Sequence, residues 1–528
     1  MIEYWGSTIT DGARVRADVC IVGAGPVGIA IARELAGAGT SVLLVESGGL
    51  EQDDTTDRLN HGENVGLPLP TMLDGRTRAL GGATKLWPGQ CIRFDDTDLD
   101  ERSWVPGSGW PITMADLSPF YARAEAWFGI PDDAVDEQAW RRFGMTAPDY
   151  DGLLHRSSAY TPHPDIGTHY RAELERSPDV RVLLHATAAR VHTTGDGSAA
   201  RSVELRGLDG TVGHVDADTV VLCGGGIENA RLLLLSELGN DHDQVGRHFQ
   251  EHPTIWVDVD VDRPGELQDF YGLLGRGKIR YLPKIRLDPG VQRDEQVLNA
   301  VADVIWEPRE TPGLAAAREL SSALQGRRRP VGIGPAQLRA AVRDLGPVAR
   351  AGFRRFAQGR PSAGPVERAR LKILAEQSPN PDSRVTLSAE RDVLGLPTAR
   401  VDWRMTERER RTMQVMTAVL DRELRRLGLA RLRGHDRLRG PDWQIGFEEA
   451  CHHMGTTRMS ATADTGVVDV DCRVHGVDGL YVCGSSVFPT SGYANPTLTI
   501  VAIALRLADH LRSTVPGGRR RAPTTTGP

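Results

Sequence analysis

Cysteine, lysine and aromatic residues are all scarce in this chain of 528 residues. The six cysteines form no CxxC pair and no Cys/His ligand spacing, which excludes a disulfide framework and a structural zinc site; no metal is expected. Cys20, Cys223 and Cys483 sit inside apolar, strand-like runs, where a free thiol behaves as a small hydrophobe. Only four of the 63 basic residues are lysine (Lys85, Lys278, Lys284, Lys372). The net charge of −7 gives no general attraction to nucleic acid or to an anionic membrane surface. No apolar run reaches the roughly 18 residues of a transmembrane helix, so no integral membrane segment is expected. The opening MIEYWGSTITDG has no basic segment followed by an apolar core. No signal peptide is therefore read, and a reducing cytoplasm is the expected location.

The length suits two or three domains of about 100–200 residues each. Hydrophobic residues at 40% and charged residues at 25% fit a globular enzyme. Residues 17–46 read as strand Asp18–Val22, a glycine-rich turn, a helix to about Gly37 and strand Ser41–Val45, one βαβ unit of a parallel sheet. The same texture returns twice. Strand Thr219–Cys223 leads through Gly224–Gly226 into helix Glu228–Ser236, and strand Leu480–Cys483 leads through a loop into helix Thr497–Arg512. Between these units, residues 254–304 and 384–403 alternate polar and apolar and suggest an antiparallel sheet. Residues 114–129 and 406–427 are expected to be helical.

The expected fold is therefore α/β: a Rossmann-like nucleotide domain built from sequence-distant pieces, with an antiparallel-sheet substrate domain inserted and covered by helices. The nucleotide domain is assigned to 1–60, 170–250 and 440–514. Residues 61–169 are assigned to the flavin loop and linking segments and 251–439 to the substrate domain. Residues 308–370 stand apart, with thirteen arginines against four acidic residues and apolar positions at helical spacing. They read as a helical insert at 305–370. The tail 515–528 reads as disordered.

Val22-Gly23-Ala24-Gly25-Pro26-Val27-Gly28 is a GxGxxG turn between a strand and a helix. Gly23 permits the tight turn, Gly25 the approach of a pyrophosphate, and Gly28 close packing of helix on strand. The helix N-terminus then offers unpaired N–H groups to the phosphates. Glu46, eighteen residues past Gly28, ends the second strand, where a carboxylate binds a ribose diol and disfavours a 2′-phosphate. The motif alone does not choose between NAD and FAD. Its place at the start of a chain that completes the fold hundreds of residues later favours FAD. Tandem His452 and His453 both offer an imidazole that is largely neutral and basic near neutral pH.

Residues 451–511 resemble the C-terminal signature of the glucose–methanol–choline (GMC) oxidoreductases, in HxxGTxRM, GVVD, RVHGVDGLYV and SSVFPTSGYANP. LGGATKLWPGQ (80–90) resembles the family's flavin loop, and GRHFQEHP (247–254) and EQSPNPDSRVTLS (376–388) resemble two further stretches. The resemblance implies FAD-dependent oxidation of an alcohol, with hydride passing to the flavin and with O2 or a quinone-type acceptor taking the electrons. It selects His452 as base, three residues before Gly455, and Asn495 as its partner. It assigns Gly81, Gly82, Thr84, Trp87, Gly484, Asn495, Pro496 and Thr497 to cofactor binding. Leu86 stands where some members carry a histidine that tethers FAD, so non-covalent FAD is expected. Gln377 and His453 are candidates for substrate contact; His248 and His252 match family stretches, with a structural role as their plain alternative. The His/Asn pair resembles the sugar oxidases of the family, which points to a sugar-like, glycoside or aminoglycoside-type substrate. Asn495 before Pro496 also reads as a helix cap. Alternatives are a non-redox flavoprotein lyase of the same fold, a non-sugar alcohol as substrate, and a non-catalytic docking protein. A second copy of the chain, in a homo-oligomer, is a further partner reading.

Overall fold

A computed structural model describes the chain except for residues 7–10, 132–139, 142–143, 277, most of 309–365, 435–437, 441–442, 445 and 516–528. The arginine-rich insert and the tail expected from the sequence thus lie almost wholly outside the described residues.

Two eight-stranded sheets organise the molecule. In the first, strands Ile2–Tyr4, Val180–Leu184, Val42–Val45, Arg14–Val22 and Val212–Leu222 lie side by side and parallel. Val212–Leu222 is long enough to serve two further partners. Its first half pairs antiparallel with Ala200–Arg206, and its last three residues pair parallel with Leu480–Val482. The C-terminal βα unit is thereby stitched onto the N-terminal one. Strands such as Val42–Val45, buried on both faces, are continuous apolar runs for that reason. Helix Pro26–Leu35 packs on helix Thr497–Thr514, which in turn packs on Met114–Phe128. The last of these begins at a Thr113/Asp116 capping box, in keeping with the helix expected over 114–129.

The second sheet is antiparallel throughout, in the order Ala430–Arg433, Thr254–Val261, Val366–Ala375, Ala300–Pro308, Ile279–Leu287, Leu153–Tyr160 and Gln90–Cys91. Leu274–Arg276 adds to its Ile279–Leu287 strand. Two of the strands, Gln90–Cys91 and Leu153–Tyr160, come from the stretch assigned to the flavin loop and linking segments. Side chains alternate across this sheet with period two. Ile255, Val257, Ala302, Val304, Leu371 and Ile373 face a buried cluster with Met413, Met416 and Leu420 of helix Glu407–Arg426. Their neighbours Lys284, Asp303, Lys372 and Leu374 face the other way, toward a cavity.

Residues 384–403 do not join this sheet. Arg384–Arg391 and Pro397–Asp402 pair with each other, and the latter pairs in parallel with Gly62–Asn64 to make a separate three-stranded sheet. Alternation reveals a half-buried strand but not its partner, which here lies over 300 residues away in the chain.

Candidate active site

A cavity of about 510 Å³ lies between the two large sheets. Its floor at one end is the GxGxxG turn. Gly23 has φ +104°, and a Cβ there would stand 2.7 Å from the carbonyl oxygen of Cys223. A Cβ on Gly28 would meet the Gly23 carbonyl oxygen at 2.0 Å, so the strand–turn–helix junction closes only with glycine at both positions. At Gly25, in contrast, a Cβ would meet no protein atom within 4 Å. No side chain caps helix Pro26–Leu35, and Gly25, Pro26 and Val27 all line the cavity. A space kept clear in front of an uncapped helix N-terminus suits a pyrophosphate. Glu46 lines the same cavity and accepts hydrogen bonds from the backbone of Ala24 and Gly48, both at 2.9 Å; its burial pushes the carboxyl pKa up.

Gly81 (φ +101°) donates its N–H to Ala24 and so clamps the flavin loop onto the turn, while Gly82, Thr84, Leu86 and Trp87 line the cavity. Gly484, Asn495, Pro496 and Thr497 line it from the C-terminal segment. Gly28 and Gly81, two of the residues expected at the cofactor, shape the turn from behind rather than line the cavity.

Sequence reasoning missed an ionic cluster on this wall. Arg76, Arg78 and Arg231 all lie within 3.2 Å of Glu228, and Arg231 also reaches Asp392 at 2.5 Å. Burial alone would raise the Glu228 carboxyl, but the three guanidinium groups hold it well below the carboxylate range. Three cations against two carboxylates leave positive charge beside the cradle, as a phosphate-bearing cofactor requires. The residues present therefore fit FAD.

The other end of the cavity holds the expected histidine. Its placement follows from a backbone bridge. Gln250 and Met454 exchange both hydrogen bonds at 2.9 Å, an antiparallel pairing whose register sets residue 252 opposite residue 452. Gly455 (φ +86°) is needed for this approach, since a Cβ there would stand 2.2 Å from the His248 carbonyl oxygen. Buried Glu251 then pins the segment by accepting the backbone N–H groups of Ala450, His252 and His452. Burial pushes its carboxyl pKa up to about 7.

His452 Nδ1 lies 2.8 Å from His252 Nδ1, and His452 Nε2 lies 3.2 Å from Asn495 Nδ2. His252 Nε2 lies 3.3 Å from the Ser491 carbonyl. A carbonyl only accepts, so His252 donates from Nε2 and presents a lone pair at Nδ1. His452 must then donate from Nδ1. Its Nε2 is left as the basic atom, held by the Asn495 amide at the cavity wall. Burial lowers the pKa of both imidazoles, His252 to about 4 and His452 well below its ordinary value, so both are neutral.

The helix after Asn495 starts at Thr497, with Pro496 in the capping position and no side-chain cap. The cap reading of Asn495 is thus corrected: its amide points to His452 because proline's fixed φ already starts the helix. Gln377 is corrected too. Its Oε1 accepts from Glu251 N at 2.9 Å and from Trp403 Nε1 at 2.8 Å, and its Nε2 donates to the Arg404 carbonyl at 3.0 Å. These bonds consume its polar groups away from the cavity, so it braces Glu251 rather than a substrate. His453 lines the cavity, with its ring tilted against Phe249 and burial lowering its pKa to about 3. His248 does not line it.

Residues 18–250 match the family model described as FAD dependent oxidoreductase, the class that the nucleotide cradle fits. Residues 379–504 match the model described as GMC oxidoreductase. The chain carries a GMC oxidoreductase C-terminal domain and is an FAD-dependent alcohol oxidoreductase. It is similar to paromamine 6′-oxidase of Streptomyces fradiae, 25% identical over 93% of this chain and 90% of that protein. It is also 25% identical to 6‴-hydroxyparomomycin C oxidase of Streptomyces lividus, over 94% of this chain and 92% of that one. Among solved structures, formate oxidase shares the fold with a TM-score of 0.55 at 17% identity, over 96% of this chain and 99% of that one. No helix among the described residues is long and apolar enough to cross a membrane.

Proposed function

We propose that the protein oxidises an alcohol group on a sugar-like small molecule, of glycoside or aminoglycoside type, with His452 as base and Asn495 as its partner. The observation that carries this reading is the Asn495–His452–His252 chain at the wall of the cofactor cavity. A hydroxyl placed between Asn495 and His452 finds one donor and one acceptor. Its proton goes to His452 Nε2, while the Asn495 amide donates to its oxygen and steadies the charge left there. Bound FAD supplies the two-electron acceptor for the hydride from the same carbon, and the product is a carbonyl compound. His252 keeps His452 in the tautomer that can take the proton. The sugar-like substrate class is favoured by the two Streptomyces relatives, whose names describe oxidases of paromamine and a paromomycin.

FAD is held without a covalent bond in this reading. Leu86, before Trp87 at the cavity wall, has no atom able to form one. Denaturing the purified protein is expected to release free yellow cofactor; flavin that stays with the precipitate contradicts it. O2 or a quinone-type acceptor reoxidises the flavin, and peroxide release under air, set against dye reduction, separates the two. The function is tested by anaerobic mixing with a panel of sugars and glycosides. Bleaching of the flavin band is expected, and a flavin that stays oxidised across the panel overturns the assignment.

A further inference from the structure

The cavity wall contributed by the antiparallel sheet carries a row of charges. Lys284, Asp303 and Lys372 are register neighbours on three adjacent strands, so their side chains emerge on one face. All three line the same cavity as His452 and Asn495. Lys284 Nζ pairs with Asp303 Oδ1 at 2.5 Å, and both side chains are buried. Lys372 has no carboxylate partner among the described residues; its ammonium stands 5.9 Å from the centroid of the Trp256 ring. Only four lysines occur in the whole chain, and two of them are here. Their charges reach the His452 imidazole, where each opposes protonation. The other carboxylates on the lining lie on different segments: Glu46 is held by the backbone of Ala24 and Gly48, Glu228 is paired with arginines, and Asp74 is exposed.

We infer that this wall is an anion subsite, and that the sugar-like substrate carries a carboxylate or phosphate group that Lys372 receives beside the Lys284–Asp303 pair. The inference rests on the reading of the cavity as an alcohol site and narrows its substrate class. Asp303 is already held by Lys284, so an ammonium on the substrate would have to break a buried ion pair to use it, while meeting the free charge of Lys372. An anionic group meets the opposite situation: a half-buried ammonium with no carboxylate partner among the described residues, open to a charge-assisted hydrogen bond. Of the two types proposed above, this selects a glycoside bearing an acidic group and sets aside the polycationic aminoglycoside.

Calorimetric titration of the FAD-loaded protein tests this without turnover. The probes are D-glucuronate, glucose 6-phosphate, D-glucose and D-glucosamine. At least one of the two anionic sugars is expected to bind about 10-fold or more tighter than glucose, and the comparison between them tells carboxylate from phosphate. Lys372→Met is expected to erase most of that advantage, a loss of about 10–100-fold for the anionic sugar. Equal binding of charged and neutral sugars, tighter binding of glucosamine, or an anion preference that survives in Lys372→Met would overturn the subsite. Flavin bleaching by the same sugars is read separately. A protein that binds glucuronate through Lys372 but is reduced by no sugar keeps the subsite and loses the proposed function. One that is reduced by glucose with no anion preference does the reverse.

Discussion

The Nδ1 atoms of His252 and His452 lie 2.8 Å apart, and this contact decides which nitrogen of His452 is basic. Two nitrogens at that distance must divide into one donor and one acceptor. The Ser491 carbonyl settles the division from behind, and the Asn495 amide marks its outcome in front. The pair meets because the Gln250–Met454 bridge sets the register, not because the two residues are near in sequence.

His252→Phe keeps a ring in place but removes the acceptor for His452 Nδ1–H. The imidazole is then free to change tautomer or rotate. Flavin reduction measured by anaerobic stopped-flow is expected to slow by about 10–100-fold, with FAD content unchanged, by analogy with the loss of residues that orient metal-bound histidines. His252→Asn, which can offer a carbonyl oxygen, is expected to recover part of the rate. Equal rates in wild type and His252→Phe would remove His252 from the account.

Asn495→Ala removes the donor opposite His452 Nε2 and is expected to cost about 10²–10³-fold in flavin reduction, the usual scale for one preorganised donor. Asn495→Asp keeps the shape but replaces the donor with a negative charge. That charge favours the imidazolium, so the acid limb of the rate should move to higher pH. A pH profile unchanged from wild type would contradict the contact.

Gly25→Val probes the cradle. A Cβ there meets no protein atom within 4 Å, so the apoprotein should fold with an ordinary melting temperature. It should emerge colourless because the pyrophosphate space is filled. A normally yellow variant would contradict the cradle. Gly28→Ala is expected to behave differently, since its Cβ meets the Gly23 carbonyl at 2.0 Å and the turn itself must shift.

Burial lowers the pKa of three histidines near the site: His248 to about 3, His252 to about 4 and His453 to about 3. In the unfolded chain they titrate near 6.5. As pH falls below about 6.5, the unfolded chain takes up protons that these three folded rings refuse, so they withdraw folding stability toward acid, against a smaller gain from Glu251, which protonates first in the fold. For His252 alone the displacement corresponds to ~3 kcal/mol once the pH reaches its folded value. Thermal unfolding at pH 8, 6 and 5 should give a melting temperature that drops mainly between 6 and 5. A flat profile would indicate that these rings are solvated.

Much of this was legible in the sequence, and the reasons differ by residue. Gly23, Gly25, Gly28 and Glu46 are local: one βαβ unit carries them, and strand, turn and helix can be read in a single window. His452 and Asn495 were legible as family motifs, since chemistry alone left His452 and His453 equivalent. What separates the two is the bridge to Gln250, which no local pattern encodes. The Lys284–Asp303–Lys372 row was invisible because it depends on the register of three strands, the last reached only after a long insertion. The cluster around Glu228 draws Arg76 and Arg78 from a loop about 150 residues upstream, and loop residues have no periodicity to read. Gln377 was misread because its partners Glu251 and Trp403 are distant in the chain; a buried glutamine with every polar group engaged looks, in sequence, like any other glutamine.

The most direct test is single-turnover flavin reduction in His452→Ala, under anaerobic conditions, with a sugar that bleaches the wild-type flavin. The account predicts a fall of about 10²–10⁴-fold with FAD still bound in full. Reduction at the wild-type rate would mean that another group takes the hydroxyl proton, and the chain from Ser491 to Asn495 would be only a structural brace.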